Sequence, residues 1–400
     1  MRDEGKHPFS PAIKVGLFLW YVLYMKFFEV LKQSKRSKAR LGVIHTKHGS
    51  IQTPAFVPVA TKGTLKTIPP KDLRDIGVQV AFVNTFHLTV HPGVDVIKKL
   101  GGIHKYSGLN IPLMSDSAGF QVFSLGAGKQ TKGAKTHEGE EMPLEKITEE
   151  GVWFRSPRDG KRMIFTPEIS IRNQEKIGAD LIMAFDECIY HGATHEYTKA
   201  ATERTHRWLS RCIKTKKMSD QFLYGIIQGG VFKDLRIASA KFAAEQDVAG
   251  IAIGGVSVGE TNKELREQIR WVAPYLPEDK PVHLLGVGRI EDLVDAVSHG
   301  IDTFDCVELT RIARSGVVYR AQKSLRADRV DVTKARYLAD KKPIQKNCKC
   351  YTCQNFSLAF LHHLFKEHEL LAYYLASYHN LFLYEEFFRE IRANIAKGRY

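Results

Sequence analysis

Residues 283–308 read HLLGVGRIEDLVDAVSHGIDTFDCVE. A short apolar run (283–288) gives way to a stretch with apolar residues three and four apart (289–300), and a second apolar run (303–308) follows. That is strand, helix, strand. Neither apolar run alternates with polar residues, as strands buried on both faces do not. Seen from this unit, the rest of the chain repeats itself. Apolar runs of the same kind lie at 53–60, 78–86, 111–117, 181–187, 222–228 and 250–255, making eight candidate strands. Helical spacing marks 70–77, 93–102, 170–178, 199–216, 233–247 and 262–276 between them. Eight strands alternating with helices predict an α/β fold, a (β/α)8 TIM barrel. The alternative is an open doubly wound sheet. Such sheets rarely run to eight units, and no G-x-G-x-x-G or Walker loop opens any of the helices.

Two regions depart from the repeat. Residues 126–165 are polar and glycine-rich, and VWFRS and KRMIF flank PRDG (157–160), which predicts a β-hairpin inserted on the catalytic side. After the last strand comes KNCKCYTCQN (346–355), then a long helical tail rich in aromatic residues. The division expected is an N-terminal extension of unknown role (1–30), a catalytic barrel (31–340), and a zinc-binding subdomain with C-terminal helices packing on the barrel (341–400).

The chain has 400 residues and a net charge of +15, which favours a polyanionic partner such as nucleic acid. Six cysteines are too sparse for a secreted disulfide scaffold, and three of them crowd into 348–353. That spacing suits a metal in a reducing compartment, so a cytoplasmic location is expected. The apolar stretch 15–25 is far short of the ~20 residues that cross a bilayer, and no small-residue cleavage site follows it. A surface-lying or packing helix is expected there, with no membrane partner. Cys348, Cys350 and Cys353 supply three thiolates for a tetrahedral ion, a strong zinc signal. Spacing alone leaves His362, His363, His368 and His379 open as the fourth ligand.

In a barrel, chemistry collects at the C-terminal ends of the strands. Those ends carry Asn84, Thr85 and His87; Asp116; Asp186 and Glu187; Gln228; Gly254 and Gly255; and Asp305. Structure alone seldom puts three aspartates at the ends of apolar strands, because desolvating them is costly. The set suits a purine. Carboxylates accept from its N–H groups, amides donate to its carbonyl, and two further carboxylates can work on a glycosidic bond.

SDSAGFQVFSL (115–125), FDEC (185–188), GIIQGGVFKDLR (225–236), GGVSVGE (254–260), the LLGVG…FDCVELTR stretch (284–311) and CKCYTC (348–353) resemble the tRNA-guanine transglycosylases of bacterial type, as do TPAFVPVATKGTLK (53–66) and NTFHLTVHPG (84–93). The resemblance covers about residues 28–400. It implies exchange of guanine at the wobble position of GUN-anticodon tRNAs for a 7-deazaguanine, on the route to queuosine. It implies Asp305 as the nucleophile of a covalent intermediate and Asp116 as general acid/base. Asp186, Gln228, Gly254, Gly255 and Val256 would hold the base, with Gln121 beside them. Phe120 would stack on it over an apolar wall at Leu285. Cys188 and Val258 are of the bacterial kind and point to the small 7-aminomethyl-7-deazaguanine as the incoming base. Arg311 and Arg314 match positions that contact the anticodon loop. The family's HN step near the tail selects His379 as the fourth ligand of one structural Zn2+ per subunit. Lys341, Lys342, Lys346 and Lys349 would then form a basic lobe near tRNA phosphates. Family members act as homodimers, for which the aromatic tail offers an apolar interface.

The sequence also departs from the family. Ala118 stands in place of a glycine. Glu308-Leu309-Thr310-Arg311 replaces Leu-Pro-Thr-Arg, and Ile312-Ala313 replaces Ser-Gly. Three other readings are a non-catalytic RNA-binding relative, which the presence of Asp116 and Asp305 opposes, an archaeal-type enzyme acting on the D-arm, and a zinc-dependent barrel hydrolase.

Overall fold

The computed structural model describes residues 26–120, 144–322 and 325–400. It opens with three strands that pair antiparallel in chain order, β1 (Phe28–Gln33), β2 (Arg40–Thr46) and β3 (Gly49–Thr53). The boundary drawn at residue 30 falls inside β1, and the apolar stretch 15–25 lies outside the described residues. This sheet was not anticipated. Its signal is the in-and-out alternation along β2, whose residues are buried at Arg40, Gly42 and Ile44.

The chain then enters β4 (Ala55–Pro58), β5 (Ala81–Val83) and β6 (Leu113–Ser115). An antiparallel insertion follows, β7 (Leu144–Ile147), β8 (Val152–Arg155) and β9 (Arg162–Phe165). The predicted hairpin is its β8–β9 half, and residues 126–143 of the expected insertion lie outside the described residues. Next come β10 (Leu181–Met183), β11 (Phe222–Ile227), β12 (Gly250–Ile253), β13 (Val282–Leu284) and β14 (Thr303–Cys306).

The eight parallel strands pair in the order β4-β14-β13-β12-β11-β10-β6-β5. Each strand is therefore the neighbour of its successor in the chain. A parallel bridge between Val59 and Phe82, and the Ala60 N–H donated to the Phe82 carbonyl at 2.7 Å, bring the two ends of the sheet together. The sheet is a nearly closed (β/α)8 barrel, not an open doubly wound one. Helices lie where the spacing predicts them, among them Pro167–Ile177, His195–Thr215, Lys233–Glu245, Asn262–Val272 and Ile290–Ser298.

Inward residues of the barrel (Val57, Phe82, Met114, Met183, Tyr224, Ile226) form one cluster with Phe28, Ile44 and Ile51 of the first sheet. That sheet therefore plugs the N-terminal end of the barrel, and the polar end is left as the mouth. The plug is pinned by a buried ion pair. Arg40 donates to Asp302 through Nε (3.0 Å) and Nη2 (2.7 Å) and to the carbonyls of Glu278 and Lys280. Asp302 also accepts from the Val282 N–H at 2.7 Å. A second clamp joins His48, His104 and Asp180, with His48 Nδ1 2.7 Å from Asp180 Oδ1. The two imidazoles are stacked, their centroids 3.4 Å apart and their planes 17° apart. A metal lies in the plane of each imidazole that ligates it. Near-parallel stacked planes share no such point close by, so this group reads as hydrogen-bonded packing.

Phe154 and Phe165 of the insertion pack with Phe86 and Phe185. Trp208 Nε1 and Arg211 Nη1 donate to the Glu149 carbonyl at 2.9 and 2.7 Å, fixing the insertion to the helix His195–Thr215. Beyond β14 lies a hairpin that was not anticipated, β15 (Val317–Gln322) with β16 (Arg326–Asp331). The last helix, Leu370–Ala396, buries Tyr378, Tyr384, Phe387 and Phe388, and Arg392 donates to the Pro54 carbonyl at 2.6 Å. The tail's aromatic residues are thus largely covered by the chain's own barrel, while Leu370 and Leu371 at the helix start stay exposed. Among the described residues no helix is long and apolar enough to cross a membrane.

Arg40→Met would leave the Asp302 carboxylate buried without its cation. A loss of about 3–5 kcal/mol is expected, measured as a lower urea midpoint at unchanged slope.

Candidate active site and metal centre

Asp116 follows β6 and is built into the turn after β5. Its Oδ1 accepts from the backbone N–H of Thr85 (2.7 Å) and Ala118 (3.2 Å), and its Oδ2 accepts from Asn84 Nδ2. Asn84 Oδ1 in turn caps the helix Thr85–Val90 by accepting from the His87 N–H at 2.9 Å. Withdrawal from water pushes the Asp116 carboxyl up to about 7, and the charges of Asp305 and Asp186 add to that push against the two N–H groups. The Asp116 carboxyl therefore lies within reach of the charges of the other two aspartates.

Asp186 follows β10 and is buried. Its Oδ1 accepts from Ser117 Oγ at 3.1 Å and its Oδ2 from Gln228 Nε2 at 2.7 Å. Burial pushes it up to about 6 despite these bonds. The turn between Asp116 and Phe120 runs directly over it. A Cβ on Gly119 would stand 2.6 Å from the Asp186 carbonyl, so glycine is required there. Ala118, the departure from the family, adopts φ +73° while fully buried. This is the left-handed region that favours glycine.

Gln228, after β11, is fully buried, and its Oε1 has no hydrogen-bond partner among the described residues. Gly255, with φ +60°, passes it so closely that a Cβ would lie 2.2 Å from that oxygen. Gly254 and Gly255 are held from behind by Arg236, which sequence reasoning missed. Fully buried, it donates to the carbonyls of Gly254 (2.6 Å), Gly255 (2.7 Å) and Gly230 (2.7 Å) and to Gln268 Oε1 (2.7 Å). An arginine on the buried face of the helix Lys233–Glu245, beside Leu235, Ser239 and Ala240, was the available sign.

Asp305 lies in β14 with its side chain 13% exposed. Its Oδ1 accepts from the Gly286 N–H at 2.9 Å and faces His283 Nε2 at 3.2 Å, and its Oδ2 has no partner among the described residues. Val256 is buried and Leu285 is half-buried against the barrel interior. Cys188 is buried, which pushes its thiol well above the ordinary range. Phe120 is 49% exposed, and Gln121 lies outside the described residues. Glu187 is turned to other work, accepting from Tyr197 Oη at 2.8 Å and from Arg204.

The helix Glu308–Ala313 follows β14, with Arg311 exposed and Arg314 donating to the Thr310 carbonyl at 2.8 Å. Glu308, an acid beside these two arginines, is paired at 2.6 Å with Arg329 of the β15–β16 hairpin.

Cys348, Cys350, Cys353 and His379 are all buried and converge. His379 Nδ1 lies 4.0, 3.3 and 3.4 Å from the three sulfurs in that order. These spacings bracket about 3.6 Å, the edge of a tetrahedron built on bonds of about 2.1 and 2.3 Å. The other ring nitrogen donates to the Tyr319 carbonyl at 2.7 Å, which aims Nδ1 at the thiols. The four residues fit a metal ion. Of the histidines left open by spacing, only His379 joins the group, and His362 faces the Val332 carbonyl instead. Lys341, Lys342, Lys346 and Lys349 are exposed around the cluster.

Comparison with known proteins agrees with this geometry. The family model described as queuine tRNA-ribosyltransferase matches residues 34–400. A queuine tRNA-ribosyltransferase of Herpetosiphon aurantiacus is 45% identical over 94% of this chain and 91% of its own length. Proteins of the same name from Pelotomaculum thermopropionicum and from a Nostoc species are 43% and 44% identical, each over 93% of this chain and 95% and 94% of their own. The chain is thus a member of the queuine tRNA-ribosyltransferase family, the tRNA-guanine transglycosylases, which are pentosyltransferases.

Proposed function

We propose that this protein exchanges guanine at the wobble position of GUN-anticodon tRNAs for 7-aminomethyl-7-deazaguanine, in the cytoplasm, through a covalent Asp305–tRNA intermediate. The observation that carries this is the meeting of three aspartates at the C-terminal ends of barrel strands, with Asp305 Oδ2 left without a partner among the described residues. Asp305 Oδ2 attacks C1′ of the nucleotide. The new C1′–O bond forms as the C1′–N9 bond breaks, and the departing guanine takes a proton at N9 from Asp116. The incoming base returns a proton to Asp116, its N9 attacks C1′, and the bond to Asp305 breaks. A carboxyl near pH 7 suits both directions of that proton transfer.

Asp186 accepts from the N–H edge of the base, with Gln228 and the Gly254–Val256 backbone beside it and Gln121 and Cys188 completing the pocket. Gln228 Oε1, buried without a partner, supports this reading, because a ligand N–H would satisfy it. Phe120 and Leu285 close on the two faces of the ring. Arg311 and Arg314 bind anticodon phosphates, and the Glu308–Arg329 pair keeps the neighbouring acid from opposing them. The metal is Zn2+, one per subunit, held by Cys348, Cys350, Cys353 and His379. With all four positions filled by protein, it is structural. The working form is a homodimer.

The central test is a denaturing gel of protein incubated with GUN-anticodon tRNA. A covalent adduct is expected. Asp305→Ala should abolish it and lower base exchange by about 10³-fold or more. Loading of the deazaguanine onto a preformed adduct should rise with pH and level off at or below about 7, because a protonated Asp116 cannot accept a proton and the ester removes the Asp305 charge that helps hold its carboxyl up. Asp116→Asn should lower that rate and flatten the profile. Cys353→Ser should reduce bound zinc from about one equivalent to near none and lower the melting temperature, as read by elemental analysis and calorimetry.

A further inference from the structure

His283 is the imidazole that the base-exchange reading leaves without a role. It is fully buried, inside the barrel, at a register position flanked by Ala252 of β12 and Thr303 of β14. Phe82 stacks on its ring, with centroids 5.8 Å apart. Its two nitrogens have one polar neighbour each. Nε2 faces Asp305 Oδ1 at 3.2 Å, and Nδ1 faces Thr303 Oγ1 at 2.9 Å. Thr303 is itself fully buried.

The proton positions follow from what each atom is able to do. An ionised carboxylate only accepts, so Nε2 carries the hydrogen that bridges to Oδ1. In a neutral ring Nδ1 is then an acceptor. The Thr303 hydroxyl, which has no other side-chain hydrogen bond among the described residues, donates to it. In this arrangement both ring nitrogens and Asp305 Oδ1 are partnered. Turned the other way, with the hydrogen on Nδ1, the ring would present a lone pair to the carboxylate. The carboxylate thus sets the tautomer, and the threonine hydroxyl, able to donate as well as accept, donates to Nδ1 and holds the ring in place.

We propose that His283 is a positioning residue for Asp305. Its Thr303-fixed Nε2–H, together with the Gly286 N–H, ties down Oδ1 and leaves Oδ2 as the oxygen aimed out of the mouth. The inference rests on the reading of Asp305 as nucleophile. It goes beyond that reading in assigning a buried histidine and threonine to the nucleophile's orientation.

The test is single-turnover adduct formation on GUN-anticodon tRNA, with tRNA binding measured separately by filter retention. His283→Leu, similar in bulk but with no donor, is expected to slow adduct formation by about 10- to 100-fold, the loss of one hydrogen bond to a charged acceptor. tRNA affinity should stay within about twofold. His283→Gln, which restores an N–H at similar reach, is expected to recover most of the rate. Thr303→Val should slow the step several-fold in the wild-type background and add nothing to His283→Leu, because both act through one hydrogen bond. If His283→Leu does not fold, His283→Phe, which also lacks a donor, and Thr303→Val decide the matter. Wild-type adduct rates in the donor-less His283 variant or in Thr303→Val, or equal additive losses from Thr303→Val in both backgrounds, overturn the proposal. An adduct that persists in Asp305→Ala would instead overturn the nucleophile assignment, so the two failures are distinguishable.

Discussion

Taking carboxylates out of water at the rim of an apolar barrel costs free energy, and hydrogen bonds return only part of it. In this chain Asp116 and Asp186 retain carboxyls pushed well above their ordinary range, although each accepts two or more hydrogen bonds. Much of the local architecture exists to hold them. Asn84 caps a helix with its oxygen while its nitrogen reaches Asp116. The Ser117–Gly119 turn runs so close over Asp186 that one residue has room for no side chain and its neighbour takes a left-handed backbone. Buried polar groups that are only partly satisfied are where ligands add stability, and Gln228 Oε1 is the plainest instance here.

The opposite end of the barrel has the same problem and a different answer. Asp302 and Asp180 precede β14 and β10 and are more deeply buried. They are met by Arg40, His48 and His104, two of the three from a sheet outside the barrel. Acids with full sets of partners close the floor, and acids left short of partners open the mouth.

The barrel was legible because its signal is local. Unbroken apolar runs such as 181–187 and 250–255 mark doubly buried strands, and each became one of the eight. The Cys3His cluster was legible in two parts. The Cys-x-Cys-x-x-Cys spacing marked three thiols directly, but His379 lies on a helix that only tertiary packing brings round, so it was picked out by the HN step of the family resemblance rather than by spacing. β1, β2, β3, β15 and β16 were missed because they are mixed in polarity and pair with their neighbours in the chain, so no unbroken apolar run marks them. Arg236 and His283 escaped because a single polar residue on an apolar face looks like tolerated core until its partners are known. What reveals Arg236 is three glycine carbonyls from two other loops, and no sequence pattern encodes that meeting.

The HN step also joins two parts of the molecule. His379 faces the thiols, while the next residue, Asn380, accepts from the Tyr319 N–H and donates to the carbonyls of Leu309 and Val317. Leu309 belongs to the short helix that begins just after β14 and carries Arg311. One turn of the final helix therefore splints the thiol–imidazole cluster to the segment that carries Arg311. Disorder introduced at the sulfurs would reach the rim of the barrel through this splint before touching the carboxylates themselves.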